Sequence, residues 1–248
     1  MMDAAIMIEG LSKRFEDVTA LDDLSFEVQK GELFGLLGPN GAGKTTTLNI
    51  LCGLLEPTGG RAYVGGHDVQ REPGRVRGLI GVCPQDTAVY PFLTGRENVE
   101  LFGSLHAIPG ESLRKKTEEL LEKMGLTEDA DRQAGKYSGG MRRRINLVMG
   151  LVHNPEIAFL DEPTVGMDPQ SRRAVWDFIT ELKGQGKTVI LTTHYMEEAE
   201  ELCDRVGIID HGRLIALGSP GELMEEHGAR DLEEVFIRLT GRKIREGV

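Results

Sequence analysis

The segment Gly38-Pro39-Asn40-Gly41-Ala42-Gly43-Lys44-Thr45 has the spacing G-x-x-x-x-G-K-[ST], between an apolar run and a helical pattern, which is the context that spacing requires. Glycines let loop N–H groups converge on phosphate oxygens, and the helix N-terminus adds a positive dipole end. Lys44 reaches the β/γ-phosphates and Thr45 ligates Mg²⁺. Further on, the apolar run 157–160 ends in Asp161 and Glu162. Asp161 can hold Mg²⁺, directly or through water, and Glu162 can polarise an attacking water as general base. Acids at a strand end can also be solvated turn residues, so the phosphate loop upstream carries that reading. In Tyr137-Ser138-Gly139-Gly140-Met141 the serine suits a helix N-cap, giving a second glycine-lined helix start able to bind an anion. Arg142, Arg143 and Arg144 follow in the first turn, where cations oppose the helix dipole by a few tenths of a kcal/mol. An anion or a partner carboxylate docking there would account for that conflict.

The elements that must position these residues alternate. Strands are expected over 6–9, 24–28, 33–37 and 79–83, a hairpin over 61–69, and a helix over 44–55. Residues 94–152 read as helices only, over 96–106, 112–124 and 139–152. Strands return at 157–160, 189–193 and 206–209, separated by helices over 169–183 and 195–203; a hairpin near Asp210-His211-Gly212-Arg213 and two short helices close the chain. A strand–helix pattern interrupted by a helical block indicates an α/β parallel-sheet domain carrying a helical insertion.

Composition narrows the function. Of 248 residues, 32 are glycine, and the formal net charge is −11, which argues against a nucleic-acid partner because phosphate-backbone affinity needs a basic surface. No stretch approaches the ~18 apolar residues that span a bilayer, and Asp3 stands where a signal peptide would carry a cation. Three cysteines without a C-x-x-C spacing fit a reducing cytoplasm and form neither a disulfide framework nor a zinc site. His106, His153, His211 and His227 fit no motif.

Taken in order along one chain, these motifs resemble the nucleotide-binding subunit of an ATP-binding-cassette (ABC) transporter, over nearly the whole length. Gly38 to Thr45, with Thr46, resembles the family's Walker A, Asp161-Glu162 its Walker B with catalytic glutamate, and Ser138 to Met141 its signature. Gln85 sits at the Q-loop, Asp168 at the D-loop and His194 at the switch histidine, while Phe15 stands where the family stacks an aromatic on adenine. Singly each has a plainer alternative: Phe15 as core, Gln85 and His194 as satisfied polar residues. The usual Leu-Ser-Gly-Gly-Gln is Tyr-Ser-Gly-Gly-Met here, so nucleotide contact at Met141 must rely on Ser138 and backbone N–H groups.

The resemblance implies a P-loop NTPase (RecA-like) core over 1–90 and 155–218, with an N-terminal antiparallel β-subdomain, an inserted α-helical subdomain over 91–154 and a short helical tail over 219–248. It implies an ATPase with ATP and Mg²⁺ as ligands, catalysis by Glu162, His194 and Lys44, and metal ligation by Thr45, Gln85 and Asp161. Two ATP are expected at a head-to-tail homodimer, or a heterodimer with a similar subunit, each held by Lys44 and Thr45 of one chain and closed over by Ser138, Gly139, Gly140 and Met141 of the other. A separate membrane permease, contacted through the Gln85 segment and the helical insertion, is expected to hold the subunit peripherally at the inner face of the cell membrane. Tyr90-Pro91-Phe92-Leu93-Thr94-Gly95-Arg96-Glu97-Asn98-Val99, the Met141 signature and Leu232-Glu233-Glu234-Val235-Phe236 resemble drug-, lipid- or polysaccharide-type exporters, and a sugar importer would extend further beyond Gly218. A soluble ABC ATPase in cofactor assembly is the alternative. A P-loop kinase or GTPase leaves the signature unexplained, and no Asn-Lys-x-Asp guanine motif is present.

Overall fold

The computed structural model describes residues 4–241; Met1 to Asp3 and positions 242–248 of the expected tail lie outside the described residues. Two long antiparallel strands, β1 (Ala4–Phe15) and β2 (Val18–Gln29), open the chain. Both run past their expected bounds, because register shifts between Ile8 and Leu11, Leu11 and Lys13, and Lys13 and Arg14 break the two-residue alternation while the pairing continues. After β3 (Leu33–Leu37) and α1 (Lys44–Leu51), strands β4 (Gly59–Val64) and β5 (His67–Asp68) complete an antiparallel sheet of order β2-β1-β4-β5. Helix α1 stops short of 55 because Gly53 turns left-handed, φ 69°, just past its end.

A helix absent from the sequence expectation, α2 (Pro73–Leu79), begins on a proline, whose missing N–H costs nothing in a first turn. It leads into β6 (Ile80–Cys83). Then come α3 (Gly95–Leu105), α4 (Gly110–Lys123) and α5 (Gly139–Leu151), each within two residues of expectation at either end. A reciprocal cap fixes the start of α3: Glu97 N donates to Thr94 Oγ1 at 3.1 Å, and Thr94 N to Glu97 Oε2 at 2.8 Å. The remaining elements are β7 (Ile157–Asp161), α6 (Pro169–Gly184), β8 (Thr188–Thr193), α7 (Met196–Leu202), β9 (Arg205–Asp210), β10 (Arg213–Gly218), α8 (Pro220–His227) and α9 (Leu232–Thr240).

The central sheet has the order β10-β9-β3-β8-β7-β6 and is parallel except for β10. Its middle strands β3, β7 and β8 are buried at every position because both faces are covered. In β3 and β7, Phe34, Leu36, Ile157 and Phe159 join the core shared with α1 and the antiparallel sheet; Leu33, Leu37, Ala158 and Leu160 join the core shared with α5, α6 and α7. The carboxyl ends of β3, β6, β7 and β8 therefore emerge together, each followed by one of the candidate motifs, which is where open α/β sheets bind ligands. The α/β expectation, with its antiparallel N-terminal sheet and parallel P-loop core, matches this architecture. No helix among the described residues is long and apolar enough to cross a membrane.

Candidate functional site

The loop between β3 and α1 depends on backbone that only glycine supplies. Gly43 has φ 109°, and a Cβ there would lie 2.6 Å from Leu21 Cδ2 and 2.7 Å from the Ala20 carbonyl. Gly38 is shut against β9: its Cβ would lie 2.3 Å from the Ile209 carbonyl. Gly43 caps α1 without a side chain, so the first amides of the helix point into a pocket lined by Asn40, Gly41, Gly43, Lys44, Thr45, Thr46, Gln85 and Glu162. Pro39 and Ala42 close the turn behind it, Ala42 N donating to Pro39 O at 3.1 Å.

Three of the expected residues converge on the carboxylate of a fourth, Glu162. Glu162 Oε1 lies 3.4 Å from Lys44 Nζ and 3.2 Å from His194 Nδ1, and Oε2 accepts from Gln85 Nε2 at 3.3 Å. Burial pushes the Glu162 carboxyl up, but the His194 hydrogen bond and the Lys44 charge outweigh it and hold it below the ordinary range. Burial likewise pulls the Lys44 ammonium down, only partly offset by Glu162. Lys44 also donates to Gly38 O at 2.7 Å and Pro39 O at 3.3 Å, so its head is tied to the loop it serves. Glu162 has φ 49°, a left-handed conformation uncommon for a side-chain-bearing residue and found at functional sites. Its amide is anchored on Thr192, to O at 3.1 Å and Oγ1 at 3.0 Å, while the same hydroxyl donates to Asp161 Oδ1. Thr192, which the sequence reading passed over, thus holds both acids of the β7 terminus.

The other expected residues lie apart. Phe15 is 43% exposed at the end of β1, with Lys13 Nζ 4.9 Å from its ring centroid, so it is not core. Ser138 caps α5, accepting from Met141 N at 3.2 Å, and Ser138 and Gly139 are exposed. None of Ser138, Gly139, Gly140 or Met141 lines the pocket over the phosphate loop. Met141 Sδ instead accepts from Arg132 Nη2 at 3.2 Å. Asp168 caps α6, and its contacts with the Ser171 side chain and amide hold its carboxyl low. A Cβ on Gly140 would lie 3.4 Å from Ser171 Oγ, which sets the signature and D-loop helix starts side by side.

The three arginines after the signature are held by backbone carbonyls. Arg142 Nη1 donates to Tyr137 O at 2.6 Å, Arg144 Nη1 to Met124 O, and Arg143 to five backbone carbonyls, so the conflict with the helix dipole is answered inside the chain. A further residue missed from sequence is Glu198, buried in α7, whose Oε1 accepts from Thr164 Oγ1 at 2.7 Å and Trp176 Nε1 at 2.9 Å.

The residues expected to hold a cation, Thr45, Gln85 and Asp161, offer hard oxygens, but no cluster of three His, Cys, Asp or Glu among the described residues could hold a metal alone. Such a set fits Mg²⁺, which keeps several waters and is bound through one or two carboxylates plus substrate phosphates.

Comparisons with known proteins agree with this geometry. Residues 21–165 match the family model described as ABC transporter. The chain is 47% identical over 242 residues to the daunorubicin resistance ATP-binding protein DrrA3 of Streptomyces coeruleorubidus, covering 98% of this chain and 76% of that protein. It is 43% identical over 241 residues to the linearmycin resistance ATP-binding protein LnrL of Bacillus subtilis, covering 97% and 76%. A solved ATP-binding subunit of an ABC transporter superposes with a TM-score of 0.86 at 28% identity, over 95% of this chain and 99% of that one. The chain belongs to the ABC transporter family, as an ATP-binding subunit of the kind that hydrolyses ATP to power transport.

Proposed function

We propose that this subunit drives export of a drug-like or lipid-like compound through a separate membrane permease, by closing two ATP molecules into a head-to-tail dimer and hydrolysing them. The observation that carries the mechanism is the convergence of Lys44, His194 and Gln85 on Glu162 beside the phosphate loop. When ATP binds, Lys44 exchanges Glu162 for phosphate oxygens, Phe15 stacks on the adenine, and the α1 amides receive the remaining phosphate charge. Glu162, released from Lys44, accepts the proton of the attacking water, and His194 holds that carboxylate and the water in line. Thr45, Asp161 and Gln85 would hold Mg²⁺, which would supply charge neutralisation at the phosphates.

The dimer reading is supported by the separation of the two helix starts: Ser138 and Gly139 are exposed yet line no part of their own chain's phosphate pocket. The contact with the permease is supported by Tyr90 and Phe92, exposed at 52% and 86% on the segment between Gln85 and α3. Export is supported by the relatives named for drug resistance. A permease partner places the subunit at the cytoplasmic face of the cell membrane. Purification in mild detergent at low salt tests this reading: a polytopic membrane protein at fixed stoichiometry is expected, and recovery with soluble partners alone would move the subunit to a non-transport ABC ATPase.

A further inference from the structure

Outside the residues assigned to ATP, the most fully determined polar group is the Arg143 guanidinium on α5, 4% exposed. Guanidinium carries five N–H donors, and here five carbonyls receive them. Nε donates to Pro163 O at 3.2 Å, Nη1 to Pro84 O at 3.1 Å and to Gln85 O, and Nη2 to Asp161 O at 2.6 Å and to Glu162 O. The acceptors belong to two segments, 84–85 after β6 and 161–163 at the end of β7, while Arg143 itself stands in α5, the helix that Ser138 caps. A buried cation is costly unless its donors are matched, so a residue that merely filled this space would be apolar. Asn146, one turn later, holds the same Q-loop strip, with Nδ2 to Pro84 O at 3.3 Å and Oδ1 accepting from Ala88 N at 3.0 Å. Glu162 is thereby fixed on both sides of its left-handed residue, its amide by Thr192 and its carbonyl by Arg143.

We infer that Arg143 is a positioning residue that couples the seating of the signature helix to the backbone carrying Gln85 and Glu162, so that the water-activating geometry is set by the position of α5. This rests on the reading that the start of α5 closes over the nucleotide of a second subunit. Lysine offers three donors on one atom and cannot span both segments, so Arg143→Lys keeps the charge and breaks the bridge.

For that variant of the full chain, kcat is expected to fall tenfold or more while KM for ATP stays within threefold, since none of the five contacts involves Phe15, Lys44 or Thr45. A folded variant with unchanged kcat, or one whose defect lies in KM alone, overturns the inference. Should the lysine variant not fold, hydrogen exchange on the unmodified chain reads the same coupling. On adding MgATP, the amides of Gln85 and Asp86, of 139–143, and of Glu162, Thr164 and Val165 are expected to gain protection together, and protection confined to one segment overturns it. Light scattering of Glu162→Gln with ATP tests the dimer separately: a monomer there removes the sandwich, while the kcat and KM split still decides whether Arg143 sets Glu162.

Discussion

Replacing Glu162 by glutamine removes one charge and one proton acceptor while keeping the shape of the side chain. Of its three contacts, the two at Oε1, with Lys44 and His194, can persist on an amide oxygen. The third would bring two amide nitrogens together, and Gln85 answers this by rotating its own amide to present oxygen. The fold is therefore kept. Loss of a general base lowers turnover by ~10²–10⁴, or about 2.7–5.4 kcal/mol at 1.36 kcal/mol per tenfold. Binding moves the other way. At 3.4 Å the Lys44–Glu162 attraction is ~5 kcal/mol gross at an effective dielectric of ~20. Lys44 must give up that attraction to receive phosphate, and most of it is recovered there. Glutamine makes the exchange easier, so ATP should bind equally well or up to about tenfold tighter, a net of up to ~1.4 kcal/mol. Phosphate release at saturating MgATP and calorimetric titration with ATP measure the two quantities. Turnover within threefold of wild type would refute the base, and tenfold weaker ATP binding would refute the competition for Lys44.

Phe15→Ala should weaken ATP binding about fivefold or more, since stacking on a base is worth ~1–3 kcal/mol, with kcat and thermal stability nearly unchanged because the ring is half exposed; unchanged affinity removes the stacking role. The three cysteines are buried, and burial pushes the Cys52 thiol up to about 12, Cys83 to about 11 and Cys203 well above its ordinary value. A thiol reagent at mildly alkaline pH should label none of them in the native chain and all three after unfolding; rapid native labelling contradicts this burial. Burial raises the Glu198 carboxyl above its ordinary 4.5, so its protonated form favours folding, and that contribution is lost as pH rises through the raised value. The stability of Glu198→Gln relative to wild type should therefore grow with pH from about 4.5 upward, and a pH-independent difference in thermal midpoint would exclude a raised pKa.

What could be read in the sequence was what local backbone demands impose. Gly43 at φ 109° against Leu21, and the apolar runs of β3, of β7 before Asp161 and of Val189 to Leu191 in β8, are constraints written within a few residues, so the phosphate loop, the paired acids and the strands that carry them could be placed from the sequence pattern. The extension of β1 and β2 was hidden because each bulge resets the alternation by which a strand is recognised. Arg143 and Glu198 were hidden for another reason. Each looks like part of a charged surface, an arginine triplet and the acidic run Glu197-Glu198-Ala199-Glu200-Glu201, and each finds its partners in distant parts of the sequence. Helical periodicity nonetheless held a signal. Glu198 shares the inward face of α7 with Ala199 and Leu202. Arg143 lies three and seven residues before Asn146 and Gly150 on the face of α5 that meets β6, where a Cβ on Gly150 would lie 2.4 Å from the Val82 carbonyl. A charge on such a face cannot be solvated, so its counterpart must be sought inside the fold before any external ligand is invoked. In this chain the counterparts are the loop carbonyls of Gln85 and Glu162 for Arg143, and the Thr164 hydroxyl and Trp176 indole for Glu198, which ties the polar interior of α5 and α7 to the segments that flank the candidate catalytic glutamate.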